Sequence, residues 1–196
     1  MNRKELYDWT INGPWIMGDL KTQWAYAVID GTLHIKFQGS VESEDWKDNF
    51  DFLVKPYRDM KDRWFAHRGF LKRWKAVQND VIEVVKENGG LPIIVSGFSQ
   101  GAAIAVLCYE DIKFQLPGRE VRCKVFGCPR VAGWCMGQTV VNRFKDVERV
   151  EVDRDIVPKI PPFIFGFRHV GSRVKVEGKY CRLKFMKNHM SYEEVI

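Results

Sequence analysis

Hydrophobic and polar positions recur at two different spacings along the chain, and each spacing predicts a different kind of element. Residues 24–29 and 32–37 are two apolar-rich runs separated by Asp30-Gly31, a favoured two-residue turn, and together they predict a β-hairpin. The apolar residues of 70–85 instead follow helical spacing, and Gly89-Gly90 ends that predicted helix. The first half of the chain therefore holds strands and at least one long amphipathic helix.

Short apolar strands alternate with helices through the rest of the chain. The pattern predicts a short helix at 3–9, strands at 91–96, 121–126 and 149–152, helices after 101 and over 133–145, and a final hairpin of 172–177 and 179–185. Residues 42–65 are polar with irregularly spaced aromatics and resist assignment. Helices between short apolar strands are typical of an α/β protein with a mostly parallel sheet.

Length and composition indicate one globular domain over residues 1–196. The chain is 45% hydrophobic and 29% charged, and it shows no repeat, linker or low-complexity tract. No apolar stretch approaches the length of a membrane-spanning helix, and the charged first nine residues lack a signal-peptide core. These features favour a cytoplasmic location, with release by lysis or another export route as the alternative.

The net charge of +6 is concentrated near one end of the sequence. Residues 159–189 contain eight Lys or Arg and one acid, so the remainder of the chain is nearly neutral. This basic segment has two interpretations, a solvated surface or a contact with an anionic membrane. No nucleic-acid motif accompanies it, so we do not expect nucleic acid as a partner.

The five cysteines are odd in number and scattered, and none forms a metal-type C-x-x-C pair. We expect free buried thiols in a reducing compartment, with one disulfide as the alternative. We expect no metal or organic cofactor.

The stretch Gly97-Phe98-Ser99-Gln100-Gly101 carries the strongest chemical signal. It stands between a predicted strand and a predicted helix, which is the context of a nucleophile elbow. Glycines on both sides give the room that so tight a turn requires. The elbow would expose the Ser99 hydroxyl beyond the sheet, and the backbone N–H of Gln100 would then face a developing oxyanion.

A serine nucleophile needs a histidine base that is oriented by a carboxylate. On an elbow fold the acid and then the histidine follow the serine along the chain, which leaves His169 and His189 as candidate bases. Asp155 follows a predicted strand and is the best acid, with Asp153 as the nearest competitor. Position alone does not separate these alternatives.

Seven segments, in order, resemble motifs of the fungal-type (class 3) lipases. Residues 37–40 resemble F-R-G-[ST], 66–70 V-H-x-G-F, 97–101 G-H-S-L-G, 126–131 F-G-x-P-R-V, 154–158 D-x-V-P, 167–171 [FY]-x-H-x-G, and 188–192 D-H-x-x-Y. The resemblance implies an α/β-hydrolase fold with Ser99 as nucleophile, Asp155 as acid and His189 as base. It also implies that Ser40 supplies the second oxyanion donor beside Gln100.

The chain departs from the family pattern at three positions. Phe98 and Gln100 replace the usual His and Leu of the elbow, and Asn188 stands where Asp is common. None of these changes removes a proposed catalytic group. The first two alter the wall of the expected acyl site, where we place Phe98 as a substrate-binding residue.

In the class 3 lipases a short lid helix follows the oxyanion residue, and the resemblance places a lid here at about 41–53. Trp46, Phe50 and Leu53 fall on one face of such a helix, where they would cover the site or contact lipid. The alternative is an ordinary surface helix that stays packed on the core.

The expected function is a serine ester hydrolase acting on lipids, a triacylglycerol lipase or a phospholipase. The alternatives are an esterase for small soluble esters, an acyltransferase, or a catalytically idle lipid-binding module. The expected partners are a lipid ester and a transient lipid or membrane interface, with anionic lipid as one option.

Overall fold

A computed structural model describes residues 1–39, 53–58, 63–133, 136–179 and 185–196. Strands and helices alternate along these residues. The strands are β1 (Ile16–Met17), β2 (Gln23–Ile29), β3 (Thr32–Phe37), β4 (Val54–Tyr57), β5 (Trp64–His67), β6 (Ile93–Phe98), β7 (Val121–Phe126), β8 (Ala132–Gly133), β9 (Val147–Val152), β10 (Phe167–Arg168) and β11 (Ser172–Val176). The α-helices are α1 (Arg3–Ile11), α2 (Arg68–Glu87), α3 (Gln100–Gln115), α4 (Gln138–Arg143), α5 (Phe185–Met190) and α6 (Tyr192–Val195).

The main sheet has the strand order β1-β2-β3-β6-β7-β9-β11 within the described part of the chain. The five strands from β3 to β11 run parallel to their neighbours, while β1 and β2 are antiparallel additions at one side. The carboxyl ends of the parallel strands therefore lie along one edge, which we call the carboxyl edge. The predicted mostly parallel α/β sheet is confirmed.

Helices cover both faces of this sheet. Alternate residues of β6 point to opposite faces, and Val95 packs in the large core cluster with α2 and α3. On the other face Ser96 accepts a hydrogen bond from the Thr10 hydroxyl of α1, at 2.8 Å between the oxygens. The parallel strands are thus buried on both sides, as βαβ crossovers require.

Helix α3 lies deepest in the fold, and its residues from Gln100 to Ile112 are all buried. Two of these are acids, Glu110 and Asp111, and Arg58 forms ion pairs with both, at 2.6 Å between Arg58 Nη2 and Glu110 Oε2. Trp74 of α2 also donates its indole N–H to Asp111 Oδ2 at 3.1 Å. Burial raises the pKa of Glu110, and the Arg58 guanidinium opposes that rise.

A second, smaller sheet lies beyond the carboxyl edge. Its described strands have the antiparallel order β10-β8-β5-β4, and β8 and β10 come from the segments that leave the carboxyl ends of β7 and β9. Two of these strands, β4 and β5, are in the region that the sequence left unassigned. Both are only four residues long, and Pro56 lies within β4, so the pattern gives no signal for them.

Two other predictions differ from the structure. The helix predicted over 133–145 is shorter, because β8 takes residues 132–133 and α4 begins only at Gln138. Of the predicted final hairpin, the first strand is present as β11, which pairs in parallel with β9, while most of the second strand (180–184) lies outside the described residues and Phe185 already begins a helix. The hairpin at residues 23–37 and the strand at 121–126 are confirmed.

Candidate active site

Ser99 lies on a strained turn at the carboxyl edge. It follows β6 directly, has φ +55° and ψ −124°, and precedes the first residue of α3. Its backbone N–H donates to the Phe126 carbonyl at 3.0 Å, and its carbonyl accepts from Ala102 N–H at 3.0 Å. A non-glycine residue with positive φ costs about 1 to 3 kcal/mol and persists only where the surrounding structure enforces it.

The two glycines of the elbow are required because other backbone passes close to them. A Cβ on Gly97 would lie 2.3 Å from the Gly101 carbonyl oxygen. A Cβ on Gly101 would lie 2.2 Å from the Phe37 carbonyl oxygen of β3. Neither distance is tolerable for a side-chain atom, so the sequence of the elbow follows from the close crossing of strand and helix.

The structure brings Ser99, His189 and Asp155 together although they come from three distant parts of the sequence. His189 Nε2 lies 2.9 Å from Ser99 Oγ, and His189 Nδ1 lies 2.9 Å from Asp155 Oδ2. Because the carboxylate accepts from Nδ1–H, Nε2 is left as the acceptor for the Ser99 hydroxyl proton. All three side chains are buried.

Asp155, and not its competitor Asp153, contacts His189. The Asp155 carboxylate also accepts from Val157 N–H and from the Tyr192 hydroxyl, each at 2.9 Å. Asp153 lies nearer the surface and pairs with Lys175 at 3.2 Å, and this partner lowers the pKa of Asp153. The carboxylate beside His189 is therefore held by hydrogen bonds on both of its oxygens.

Tyr192 connects the acid to the end of β9. Its hydroxyl accepts from Val152 N–H at 3.1 Å while donating to Asp155 Oδ2. Burial, followed by the Asp155 charge, raises the pKa of Tyr192 well above its usual value, so the phenol keeps its proton. The sequence motif over 188–192 contains Tyr192 but does not indicate this role.

Two residues lie against the His189 ring. Phe98 stacks on it with ring centroids 4.8 Å apart and an interplanar angle of 18°. Gly127 has φ +57°, and its missing Cβ would be 2.8 Å from His189 Cε1. The second residue that sequence reasoning missed is therefore Gly127, for which a glycine directly after β7 at the carboxyl edge was the available signal.

The predicted oxyanion donors are only partly described. Gln100 is buried and opens the sixteen-residue helix α3, so its N–H belongs to the positively polarised first turn. Ser40 lies outside the described residues. Its neighbour Gly39 is beside the elbow, since a Cβ there would be 3.3 Å from Ser99 Cβ.

Most of the predicted lid also lies outside the described residues, including Trp46 and Phe50. Leu53 directly precedes β4, and 53% of its surface is exposed. Phe98 contacts His189, Tyr7 and Tyr192, and its expected role in substrate binding stays a prediction.

His169, the alternative base, makes its hydrogen bond to a backbone carbonyl of the loop after Asp155. Its Nε2–H donates to the Pro158 carbonyl at 2.7 Å. Burial, followed by the nearby charge of Arg149, lowers the pKa of His169 to about 3. This ring is neutral at ordinary pH and braces the loop after Asp155.

Basic residues of the 159–189 segment differ in how they are paired. Arg173 forms an ion pair with Glu151 at 2.6 Å, and Lys179 forms one with Glu194 at 3.3 Å. Together with the Lys175–Asp153 pair, these contacts neutralise much of the positive charge on the strand β11 side. Arg182 and Lys184 are outside the described residues.

The described residues contain neither a metal-type cluster nor a membrane-spanning helix. In the ranges that the structure covers, no three His, Cys, Asp or Glu side chains group as a metal site would require. No helix within those ranges combines the length and apolarity that crossing a bilayer demands. Cys108, Cys123 and Cys128 are buried free thiols, and the other two cysteines lie outside the description.

Several known proteins with related sequences are lipases. The chain is 31% identical over 147 residues to a lipase of Rhizomucor miehei, which covers 71% of this chain and 40% of that protein. It is 27% identical over 161 residues to secreted mono- and diacylglycerol lipase 1 of Fusarium solani, covering 79% of this chain and 47% of that protein. The chain therefore spans less than half the length of either relative.

Structural comparison leads to the same group. The solved triacylglyceride lipase of Rhizomucor miehei superposes with a TM-score of 0.71 at 27% identity, covering 83% of this chain and 64% of that one. The family model described as lipase (class 3) matches residues 34–165, which contain the elbow and Asp155. The chain belongs to the class 3 lipase family and has its α/β-hydrolase fold.

Proposed function

We propose that the chain hydrolyses ester bonds of lipids through a covalent acyl-enzyme on Ser99. The observation that carries the proposal is the continuous hydrogen-bonded series from Ser99 Oγ to His189 to Asp155, with both distances at 2.9 Å. Ser99 presents its hydroxyl from a strained turn at the carboxyl edge, where reactive groups of α/β proteins collect. The proposed substrates are acylglycerols or phospholipids, and the names of the relatives support the acylglycerols.

In the proposed first half-reaction, Ser99 Oγ attacks the ester carbonyl carbon while His189 Nε2 takes the hydroxyl proton. The carbonyl oxygen becomes an oxyanion that accepts hydrogen bonds from the backbone N–H groups of Gln100 and Ser40. His189 then gives its proton to the leaving alcohol oxygen as the carbon–oxygen bond breaks, and Ser99 is left acylated. Asp155 stabilises the imidazolium and holds its Nδ1–H in place throughout.

In the second half-reaction water replaces the alcohol. His189 takes a proton from the water as its oxygen attacks the acyl carbon, and the same N–H groups stabilise the second oxyanion. The carbon–Oγ bond breaks, Ser99 recovers its proton from His189, and the fatty acid leaves. Besides the ester, the cycle consumes one water molecule and returns Ser99 and His189 to their starting protonation states.

Fatty-acid release tests the proposal directly. It is measured on triacylglycerol emulsions and phospholipid vesicles, with the native chain, Ser99→Ala and the control Ser172→Ala, whose hydroxyl hydrogen-bonds the Val147 carbonyl away from the site. We expect release, and labelling by a fluorophosphonate, with the native chain and the control but not with Ser99→Ala. Cleavage of short soluble esters alone would favour the esterase alternative, and absent labelling would favour an idle lipid-binding module.

We also propose that residues 41–53 form a mobile lid over this site. The support is the helical spacing of Trp46, Phe50 and Leu53 together with the exposure of Leu53. We expect specific activity to rise sharply when a short-chain triacylglycerol passes its solubility limit. Constant specific activity across that limit would contradict a lid that opens on lipid.

A further inference from the structure

The loop after Asp155 carries an exposed apolar tip, defined here as Phe163, Ile164 and Phe165. These three consecutive side chains are 56%, 83% and 55% exposed, and Ile164 is the most exposed large hydrophobic residue in the part of the chain that the structure describes. Single exposed hydrophobic residues are ordinary on protein surfaces, but three adjacent ones at a loop end are not. Water is therefore an unfavourable environment for this part of the surface.

The apolar tip lies beyond the carboxyl edge, as Ser99 does. The segments that follow β7 and β9 at that edge are hydrogen-bonded to each other, because Arg130 N–H donates to the Ile160 carbonyl at 2.8 Å. The Arg130 side chain also donates to the Pro161 carbonyl at 2.7 Å, and Phe167 pairs with Gly133. The segment that carries the tip is thus fixed on both sides, by the Arg130 contacts before it and by the pairing of β10 with β8 after it.

Positive charge flanks the tip on both sides. The Arg168 guanidinium lies over the Phe163 ring at 5.4 Å from its centroid, and Lys159 is exposed four residues before the tip. Neither cation has an ion-pair partner among the described residues, unlike Arg173 and Lys175, and no acid occurs between positions 156 and 176. The two cations beside the apolar tip are therefore not held in direct ion pairs within the described fold.

An exposed apolar segment beside cations without an ion-pair partner is complementary to an anionic lipid surface, in which apolar acyl chains lie below negatively charged head groups. Acyl chains accept the three hydrophobic side chains, and lipid phosphates at the level of the head groups pair with Lys159 and Arg168. We infer that the apolar tip inserts into an anionic lipid surface and presents the carboxyl edge, with Ser99, to that surface. This inference rests on the proposed function, because it assigns the surface on which that hydrolysis would occur.

Vesicle binding tests the inference separately from catalysis. Binding is measured by flotation with vesicles of phosphatidylcholine, alone or mixed with phosphatidylglycerol, using the Ser99→Ala protein so that no lipid is consumed. Ile164→Ser removes the apolar contact, and its matched control is Val28→Ser, since Val28 is 51% exposed at the opposite edge of the sheet. Lys159→Gln removes one charge, and its control is Lys86→Gln at the end of α2, also near that opposite edge.

We expect tighter binding to the mixed vesicles than to phosphatidylcholine alone. Ile164→Ser should weaken binding to both by about tenfold or more, because a large side chain no longer leaves water. Lys159→Gln should weaken binding to the mixed vesicles alone, by about fivefold, and added salt should reduce that difference. The two control variants should bind as the parent protein does.

Three results would overturn the inference. These are unchanged binding by Ile164→Ser, an equal loss with Val28→Ser, or equal affinity for neutral and anionic vesicles. A dimer in sedimentation analysis that Ile164→Ser abolishes would assign the tip to a second copy of the chain instead. Thermal unfolding of each variant shows whether it is folded, and binding without any hydrolysis by the native chain would refute the proposed function but leave this inference standing.

Discussion

Because Gly127 has no side chain, its backbone can lie close to the His189 ring. Replacing Gly127 by Ala would place a Cβ 2.8 Å from His189 Cε1, and the residue would also have to keep a φ of +57°. We expect Gly127→Ala to lower kcat by about 100-fold or more, because small displacements of a catalytic group are that costly. Steady-state hydrolysis of a soluble ester measures the change.

Gly31→Ala is the matched control for this substitution. Gly31 has a similar φ of +71°, but nothing lies within 4 Å of the position a Cβ would take. We expect it to lose about 1 to 2 kcal/mol of stability and to keep its kcat. Equal losses of kcat in the two variants would show that backbone strain, and not contact with His189, explains the effect.

The Tyr192 hydroxyl acts on the site through Asp155, as a positioning group. In Tyr192→Phe the buried Val152 N–H loses its acceptor and the carboxylate loses one donor. We expect a stability loss of about 1 to 3 kcal/mol and a lower kcat. Because the hydroxyl acts through Asp155, the loss should appear in kcat and leave KM nearly unchanged.

A purely structural role for Tyr192 would leave kcat in place and change only the stability. Tyr26→Phe is the control, since Tyr26 is 42% exposed on β2 at the far side of the sheet. It should alter neither kcat nor the stability.

At the scale of single residues, the sequence predicted that three side chains come together, but it did not predict which other residues hold them in position. Ser99, Asp155 and His189 follow from the elbow, the chain order and the family motifs. The contacts of Tyr192 and Gly127 depend on distances between elements that are far apart in sequence. No local pattern encodes such distances, so these two supporting residues became visible only in the folded chain.

At the scale of elements, the buried helix α3 depends on a cation supplied by another segment. Removing Arg58 leaves Glu110 and Asp111 buried beside each other without their nearest positive charge. We expect Arg58→Met to lower the free energy of unfolding by about 3 to 5 kcal/mol, since breaking a buried ion pair is far more costly than breaking an exposed one. Urea denaturation measures the change.

Lys113→Met is the control on the same helix. Lys113 pairs with Asp146 at 3.9 Å, and both side chains are partly exposed. Removing such a pair should cost less than about 1 kcal/mol. A similarly small effect of Arg58→Met would mean that the two acids are held by other groups.

Elements were predictable where their pattern was long or their turn distinctive. The hairpin at residues 23–37 has a favoured Asp-Gly turn, and β7 alternates apolar and basic residues before it ends on two apolar ones. The residues of β11 have the pattern of a strand, and the sequence therefore predicted a hairpin there. A strand pattern does not specify which other strand it pairs with. The pairing with β9 is set by the sheet as a whole, and local sequence does not carry that information.

For the whole molecule, His169 makes stability depend on pH. Its pKa is about 3 in the folded chain and about 6.5 in the unfolded chain, so at neutral pH both states hold it uncharged. Below about pH 6.5 the unfolded state binds a proton that the folded state does not, and stability falls as the pH falls toward 3. The expected loss between pH 7 and pH 5 is about 2 kcal/mol.

Urea unfolding of the native chain and of His169→Gln at these two pH values tests this expectation. The variant should lose less stability between pH 7 and pH 5 than the native chain does. Some dependence should remain, because burial also lowers the pKa of His34. Identical losses in the two proteins would assign the pH dependence to groups other than His169.

The polarity of the sheet has a practical consequence for how this protein can be attached to a support. The turn at Asp30-Gly31 and the turn between α2 and β6 lie at the amino ends of β3 and β6, opposite the edge that holds Ser99. The same turns contain Gly31 and Gly90, beside which there is open space. A fluorescent label or a surface tether joined at either turn would leave the carboxyl edge facing outward, so an immobilised molecule would keep its reactive side accessible.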